Sequence, residues 1–215
     1  MAAYDLEEQE QIDELKAYWK QYGNLIMSIV IAVLFAFSAV QGWNWYQRKQ
    51  AAEASNYFVQ LQKAQASKDL KQVKGLSGSI IEQYPRTYYA AMAALIAAKA
   101  YYDANDVKSA KAQFEWAMEH AKTDEFRDIA RLRLGYILLD EKDYDGALKL
   151  ADEGVKTNTA YLARFSDLKG DVLVAQNKTA DAKTAYQAAL NAIDSKDTDY
   201  KNFVQQKLDS LGAAS

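Results

Sequence analysis

In 215 residues the chain has no cysteine, one proline, one histidine and nine glycines. Without cysteine there is no disulfide scaffold, no thiolate zinc site and no cysteine nucleophile. A lone histidine, His120, removes most imidazole base and metal chemistry, and it falls near the end of a predicted helix, where such a ring is ordinary. Gly-rich phosphate loops and serine elbows are missing. The acidic pairs Asp140 with Glu141 and Asp143 with Asp145 lack the glycine and terminal glutamate of a calcium loop. They lie between predicted helices, where turn and N-cap duty accounts for them. These absences point away from an enzyme and from any metal or cofactor. A net charge of −3 gives no basic footprint for nucleic acid.

The charge that is present is unevenly spread. Residues 1–24 carry six acidic groups (Asp5, Glu7, Glu8, Glu10, Asp13, Glu14) against Lys16 and Lys20, while residues 25–46 carry none. The uncharged run at residues 25–40, LIMSIVIAVLFAFSAV, would be about 24 Å long as a helix. With its neutral flanks, residues 22–46, it reaches about 37 Å, enough for a hydrocarbon core of about 30 Å and part of each interface. Trp19 and Tyr22 at one end and Trp43, Trp45 and Tyr46 at the other form the two aromatic belts expected at headgroup depth. A buried core helix would leave those belts unexplained. A cleaved signal peptide would start with a short basic stretch, not with more than twenty residues rich in acid. A single membrane-spanning anchor in the lipid bilayer is the better reading. Its orientation stays open, because Lys16 and Lys20 before the span balance Arg48 and Lys49 after it. Before the span, Ile12, Leu15, Trp19 and Tyr22 recur every three or four residues. That apolar stripe could continue into the span, lie on the interface or dock on another membrane protein.

From Ala51 onward the composition favours helix throughout, and a period emerges. Ala110, Phe114 and Ala117 recur as Ala147, Ala151 and Gly154 after 37 residues, and as Ala182, Tyr186 and Ala189 after 35 more. Twelve residues before each leading alanine stands a small residue: Ala98, Gly135 and Gly170. This is the pattern of tetratricopeptide hairpins, whose paired helices cross closely. One period earlier lie Leu61, Ala64 and Val73, with Pro85 at the helix-ending position. The expectation is an all-α chain: a membrane helix, then a tetratricopeptide-like α-solenoid of four hairpins near residues 52–85, 87–122, 124–157 and 160–194. A closing helix follows near residues 198–211. In the first repeat Ser77 and Ile80 depart from the motif, and Gly75 and Gly78 weaken the case for a regular second helix. The domains read as 1–22, 23–46 and 47–215.

Stacked hairpins offer a concave surface. By repeat register the first helices turn Met92, Leu95, Lys99 and Tyr102, then Ile129, Leu132, Arg133, Tyr136 and Leu139, toward it, with Asp167 and Asp171 following. A mostly apolar groove suits an unfolded segment or an amphipathic helix better than a charged tail. The same side chains could instead simply seal one first helix against the next. A self-associating envelope scaffold that binds no client is the alternative function.

The layout as a whole resembles the YfgM-like ancillary subunits of the bacterial Sec translocon. The resemblance is carried by QIDELKAYWKQYGN before the span, GWNWYQRKQ after it, and the pair RLRLGYILLDEKDYDGALKLAD (131–152) and KGDVLVAQNKTADAKTAYQAAL (169–190). It implies a single-pass protein of the bacterial inner membrane, N-terminus in the cytoplasm and repeats in the periplasm. It further implies association with SecYEG and with a PpiD-type membrane-anchored chaperone, assisting unfolded secreted polypeptides as they emerge.

Overall fold

The computed structural model describes residues 2–157 and 160–212, with side chains from residue 8 onward, so Asp5 and Glu7 of the acidic start lie outside the described side chains. Among the described residues the regular structure is entirely helical: α1 (Ala2–Ala66), α2 (Leu70–Gln83), α3 (Tyr88–Asp103), α4 (Val107–His120), α5 (Asp124–Asp140), α6 (Tyr144–Thr157), α7 (Leu162–Ala175), α8 (Thr179–Ala192) and α9 (Thr198–Ser210). Two compact units divide the chain, Met1–Lys49 and Gln50–Ser215.

The first unit is helix alone. An 18-residue window within it has a mean hydropathy of 2.3, and only 6% of that window is buried. A soluble core helix would be mostly covered, so this is a candidate membrane span. Ser28 Oγ donates to the carbonyl of Asn24 at 2.7 Å, which satisfies the hydroxyl within the helix where lipid offers no partner. The aromatic belts are exposed. Tyr18 and Tyr22 lie 4.8 Å apart between ring centres, Trp43 and Tyr46 6.0 Å, and the Lys49 ammonium sits 5.7 Å from the Trp45 ring.

The second unit holds the last turns of α1 and the eight helices after it. Phe58, Leu61 and Ala64 of α1 form one core with Val73 and Ile80 of α2 and Ala90 and Ala93 of α3. Further clusters join α3 through α6, then α5 through α7, and then α8 with α9. Each helix thus packs chiefly on its chain neighbours, as a repeat stack requires. The hairpins fall where the period places them. The small residues explain how: a Cβ at Gly135 would stand 2.6 Å from Leu168 Cδ2, and one at Gly154 or Gly170 would collide with the ring of Phe165 or Tyr186. Helix α2 is regular despite its glycines, and nothing lies within 4 Å of a Cβ built at Gly75 or Gly78. Ser77 and Ile80, the departures from the motif, are buried. The Ser77 hydroxyl donates to the Val73 carbonyl at 2.7 Å.

One turn recurs between the two helices of every hairpin. Lys68, Asn105, Lys142 and Asn177 have φ between 56° and 64°, the left-handed region. The following residue's N–H reaches back five positions in each case: Asp69 to Ala64, Asp106 to Tyr101, Asp143 to Leu138 and Lys178 to Leu173, at 2.8–3.0 Å. This Schellman closure satisfies the last carbonyls of the first helix.

Candidate protein-binding groove

The first helices α3, α5 and α7 present the same face in succession. Residues three and four apart share a helix face, so Leu95, Lys99 and Tyr102 of α3 stand beside Ile129, Arg133 and Tyr136 of α5. Together they line a cavity of about 390 Å³, with Asp103 and Asp140 at its polar edge. The Lys99 ammonium holds Asp103 at 2.7 Å, and the Tyr102 hydroxyl donates to Asp140 Oδ2 at 3.2 Å. The Asp140 charge, with that hydrogen bond, raises the Tyr102 phenol above its usual pKa.

A second cavity, of about 650 Å³, continues from the first and shares Ile129, Arg133 and Tyr136 with it. Leu132 closes its base at 7% exposure. Its far wall is built from Tyr161, Arg164 and Asp167 around α7 and from Tyr200 and Phe203 of α9. Lys207 of α9 ties this wall together, reaching Asp167 at 2.7 Å and Asp171 at 2.8 Å. Tyr200 donates to Asp167 at 3.2 Å, and Tyr186 donates to Asp171 at 2.7 Å. Burial pushes the Asp167 carboxyl above its usual pKa, opposed by the Lys207 and Tyr200 contacts. Burial likewise raises the phenols of Tyr136, Tyr186 and Tyr200, with Asp167 adding to the effect at all three and Asp171 at Tyr136 and Tyr186.

Two of the groove residues expected from the sequence do not join these cavities. Met92 is partly buried against the Phe58, Leu61 and Ile80 cluster, and Leu139 against the cluster of Ala147 and Leu168. Conversely, Tyr161, Arg164, Tyr200, Phe203 and Lys207 were not anticipated at the site. The 35-residue step that carries Gly135 to Gly170 also carries Ile129 to Arg164, so register alone marks that arginine. Helix α9 stands in the register of a first helix, with Tyr200, Phe203 and Lys207 each 36 residues after Arg164, Asp167 and Asp171, but it has no second helix to complete the small-residue pattern among the described residues.

Elsewhere, His120 stacks on Trp116 with ring centres 4.8 Å apart, its Nδ1 3.0 Å from the Trp116 carbonyl. Among the described residues no group of three His, Asp or Glu side chains could hold a metal ion. Trp19 lies with Leu15, Lys16 and Lys20 along one exposed side of α1.

A helical-repeat scaffold with an aromatic groove, carried behind a candidate membrane span, is the class of protein that this architecture defines. A family model described as a tetratricopeptide repeat-like domain matches residues 16–213. The chain is 32% identical to the ancillary SecYEG translocon subunit of Neisseria gonorrhoeae, over 98% of this chain and all of that one. It is 28% identical to the protein of the same description from Haemophilus influenzae, over 87% of this chain and 90% of that one. A solved structure titled MamA RS-1 ArsTM double mutant shares the fold at a TM-score of 0.50 and 18% identity, covering 75% of this chain and 88% of that one. The chain belongs to the YfgM-like family of ancillary translocon subunits, which are built on tetratricopeptide-like repeats.

Proposed function

We propose that the protein is a non-enzymatic adaptor held beside the SecYEG channel of a bacterial inner membrane. Residues 1–22 stay in the cytoplasm, 23–46 cross the bilayer and 47–215 form the periplasmic repeat domain. The groove of α3, α5 and α7 engages a membrane-anchored chaperone of the PpiD type, an emerging secreted polypeptide, or both. The observation that carries this reading is the continuous apolar and aromatic groove in a chain aligned end to end with a curated translocon subunit. Tethering makes a weak groove effective, because anchoring in the same membrane as a partner can raise its local concentration to about the millimolar range.

Photo-crosslinking in intact membranes tests it, with the reactive side chain placed at Tyr22, Trp45 or Tyr102, all exposed. Adducts with translocon subunits are expected from Tyr22 and Trp45, and adducts with a chaperone or a secreted chain from Tyr102. Adducts of the protein with itself alone would favour a self-associating scaffold. Repeats degraded by protease from the cytoplasmic side would reverse the orientation.

A further inference from the structure

The end of the groove walled by α5, α7 and α9 has a one-sided electrostatic character. The acidic residue that lines this cavity and the one beside it are engaged: Asp167 accepts from Lys207 and Tyr200, and Asp171 from Lys207 and Tyr186. In the adjoining cavity Asp140 accepts from Tyr102, and Asp103 from Lys99. Its guanidinium groups are open. Arg133 and Arg164 are exposed, line the second cavity, and have no carboxylate partner among the described residues. Arg164 is held in place by its packing 4.5 Å from the centre of the Tyr200 ring. Both arginines line the same cavity as Tyr136 and Tyr161, so they face one shared space. Around them stand Tyr161, Tyr200 and Phe203, which lower the local dielectric and strengthen any charge-assisted hydrogen bond made there.

We infer that this end of the groove recognises a side-chain carboxylate, so that its occupant is an extended segment carrying aspartate or glutamate among apolar and aromatic residues. Two planar forks set in an aromatic wall suit a carboxylate, which each can bind through paired N–H donors. The carboxylate belongs to a side chain within the segment and not to a chain end, because Arg133 lines both cavities. A segment filling both therefore passes Arg133 in mid-chain. Leu95, Ile129 and Phe203 supply the apolar contacts on either side of the charge. The inference rests on the groove reading proposed above and adds to it the chemistry of the occupant.

The test uses the full chain in detergent micelles and fluorescein-labelled twelve-residue peptides of leucine, phenylalanine and alanine. One carries a central aspartate pair with blocked ends. A second has asparagine in place of the pair. A third is the asparagine peptide with a free C-terminal carboxylate. Fluorescence anisotropy is expected to show the aspartate peptide binding about tenfold tighter than the other two, with the advantage fading as salt is raised. Replacing Arg133→Gln and Arg164→Gln together should remove that advantage, so that the variant still binds both peptides but with equal affinity. This is a readout that misfolding would not produce. The reversed pair, Arg133→Glu with Arg164→Glu, should prefer a lysine peptide. Equal binding of the aspartate and asparagine peptides would overturn the carboxylate inference while leaving the groove reading standing. Tight binding of the free-terminus peptide alone would overturn it in favour of chain-end recognition. Binding of none of the three would overturn the groove reading as well.

Discussion

At Gly154 a hydrogen atom does what no side chain could, because a Cβ there would meet the ring of Phe165, which is itself fully buried. Alanine normally stabilises a helix interior relative to glycine by about 1 kcal/mol. Here the sign reverses: Gly154→Ala should cost about 1–3 kcal/mol through overpacking. Gly75→Ala, with nothing within 4 Å of its Cβ, should instead gain about 0.5–1 kcal/mol. Urea unfolding followed by circular dichroism checks both, and a loss at Gly75 would contradict the reason given for it. These small positions were legible in the sequence because a close helix crossing leaves a period in the residue pattern. Arg164 carries no such mark of residue type, because its register partner is the apolar Ile129. The buried phenols of Tyr136, Tyr186 and Tyr200 make a second prediction at this scale. All three are held above their ordinary pKa, with burial the leading cause. Between pH 10 and those raised values the folded chain keeps protons that the unfolded chain releases, so stability is full below about pH 10 and is lost above it. The urea midpoint should fall between pH 9 and pH 11. Tyr136→Phe, which has no phenol to ionise, should show a smaller fall than wild type.

The hairpin turn shows how one element serves two helices. In the first three hairpins the residue that closes the Schellman turn is an aspartate whose carboxylate also caps the next helix. Asp69 accepts from the Gln72 N–H at 3.0 Å, Asp106 from Ser109 at 3.1 Å and Asp143 from Gly146 at 3.1 Å. These backbone and side-chain hydrogen bonds hold the Asp69 and Asp106 carboxyls below the usual range. The fourth hairpin has Lys178 at the equivalent position, and α8 begins without a side-chain cap. An ammonium cannot accept a hydrogen bond, and it places positive charge at the positive end of the helix dipole. Lys178→Asp should therefore stabilise the protein by about 1 kcal/mol, read as a raised urea midpoint with an unchanged slope. An unchanged midpoint would mean that the turn is already satisfied by other means. Helix number, order and approximate bounds were readable from periodicity and from these polar turn clusters. By propensity alone the two glycines of α2 count against a regular helix, but the burial of Val73, Ser77 and Ile80 against α1 and α3 outweighs that cost.

On the scale of the whole chain, the closing helix forms at Thr198–Ser210, as expected near residues 198–211, but its place in the groove is new. Among the described residues it lacks the second helix whose small residues mark the other hairpins, so its share of the groove became visible only once Tyr200, Phe203 and Lys207 were placed against α5 and α7. Beside the core that Val204 forms with Tyr186, Ala189 and Leu190 of α8, its attachment includes one ammonium between two carboxylates, one of them 2% exposed. Removing one partner of a buried ion pair strands the other charge, so Lys207→Gln should cost about 2–4 kcal/mol at pH 7. The deficit should shrink on acidification. Burial already raises the Asp167 carboxyl, with Asp171 adding to it, and without Lys207 the main cationic contact that opposes the rise is lost. In the variant the folded chain then takes up a proton that the unfolded chain still lacks, and stability rises as pH falls from 7 toward 5. Because contacts in a repeat stack run between neighbours, the damage should stay local. Amide hydrogen exchange in Lys207→Gln should quicken across α9 and the adjoining turns of α8, while the α3 and α4 amides keep their protection. Quickened exchange spread evenly over all four hairpins would show instead that the array unfolds as one cooperative body, with α9 acting as a clasp for all of it.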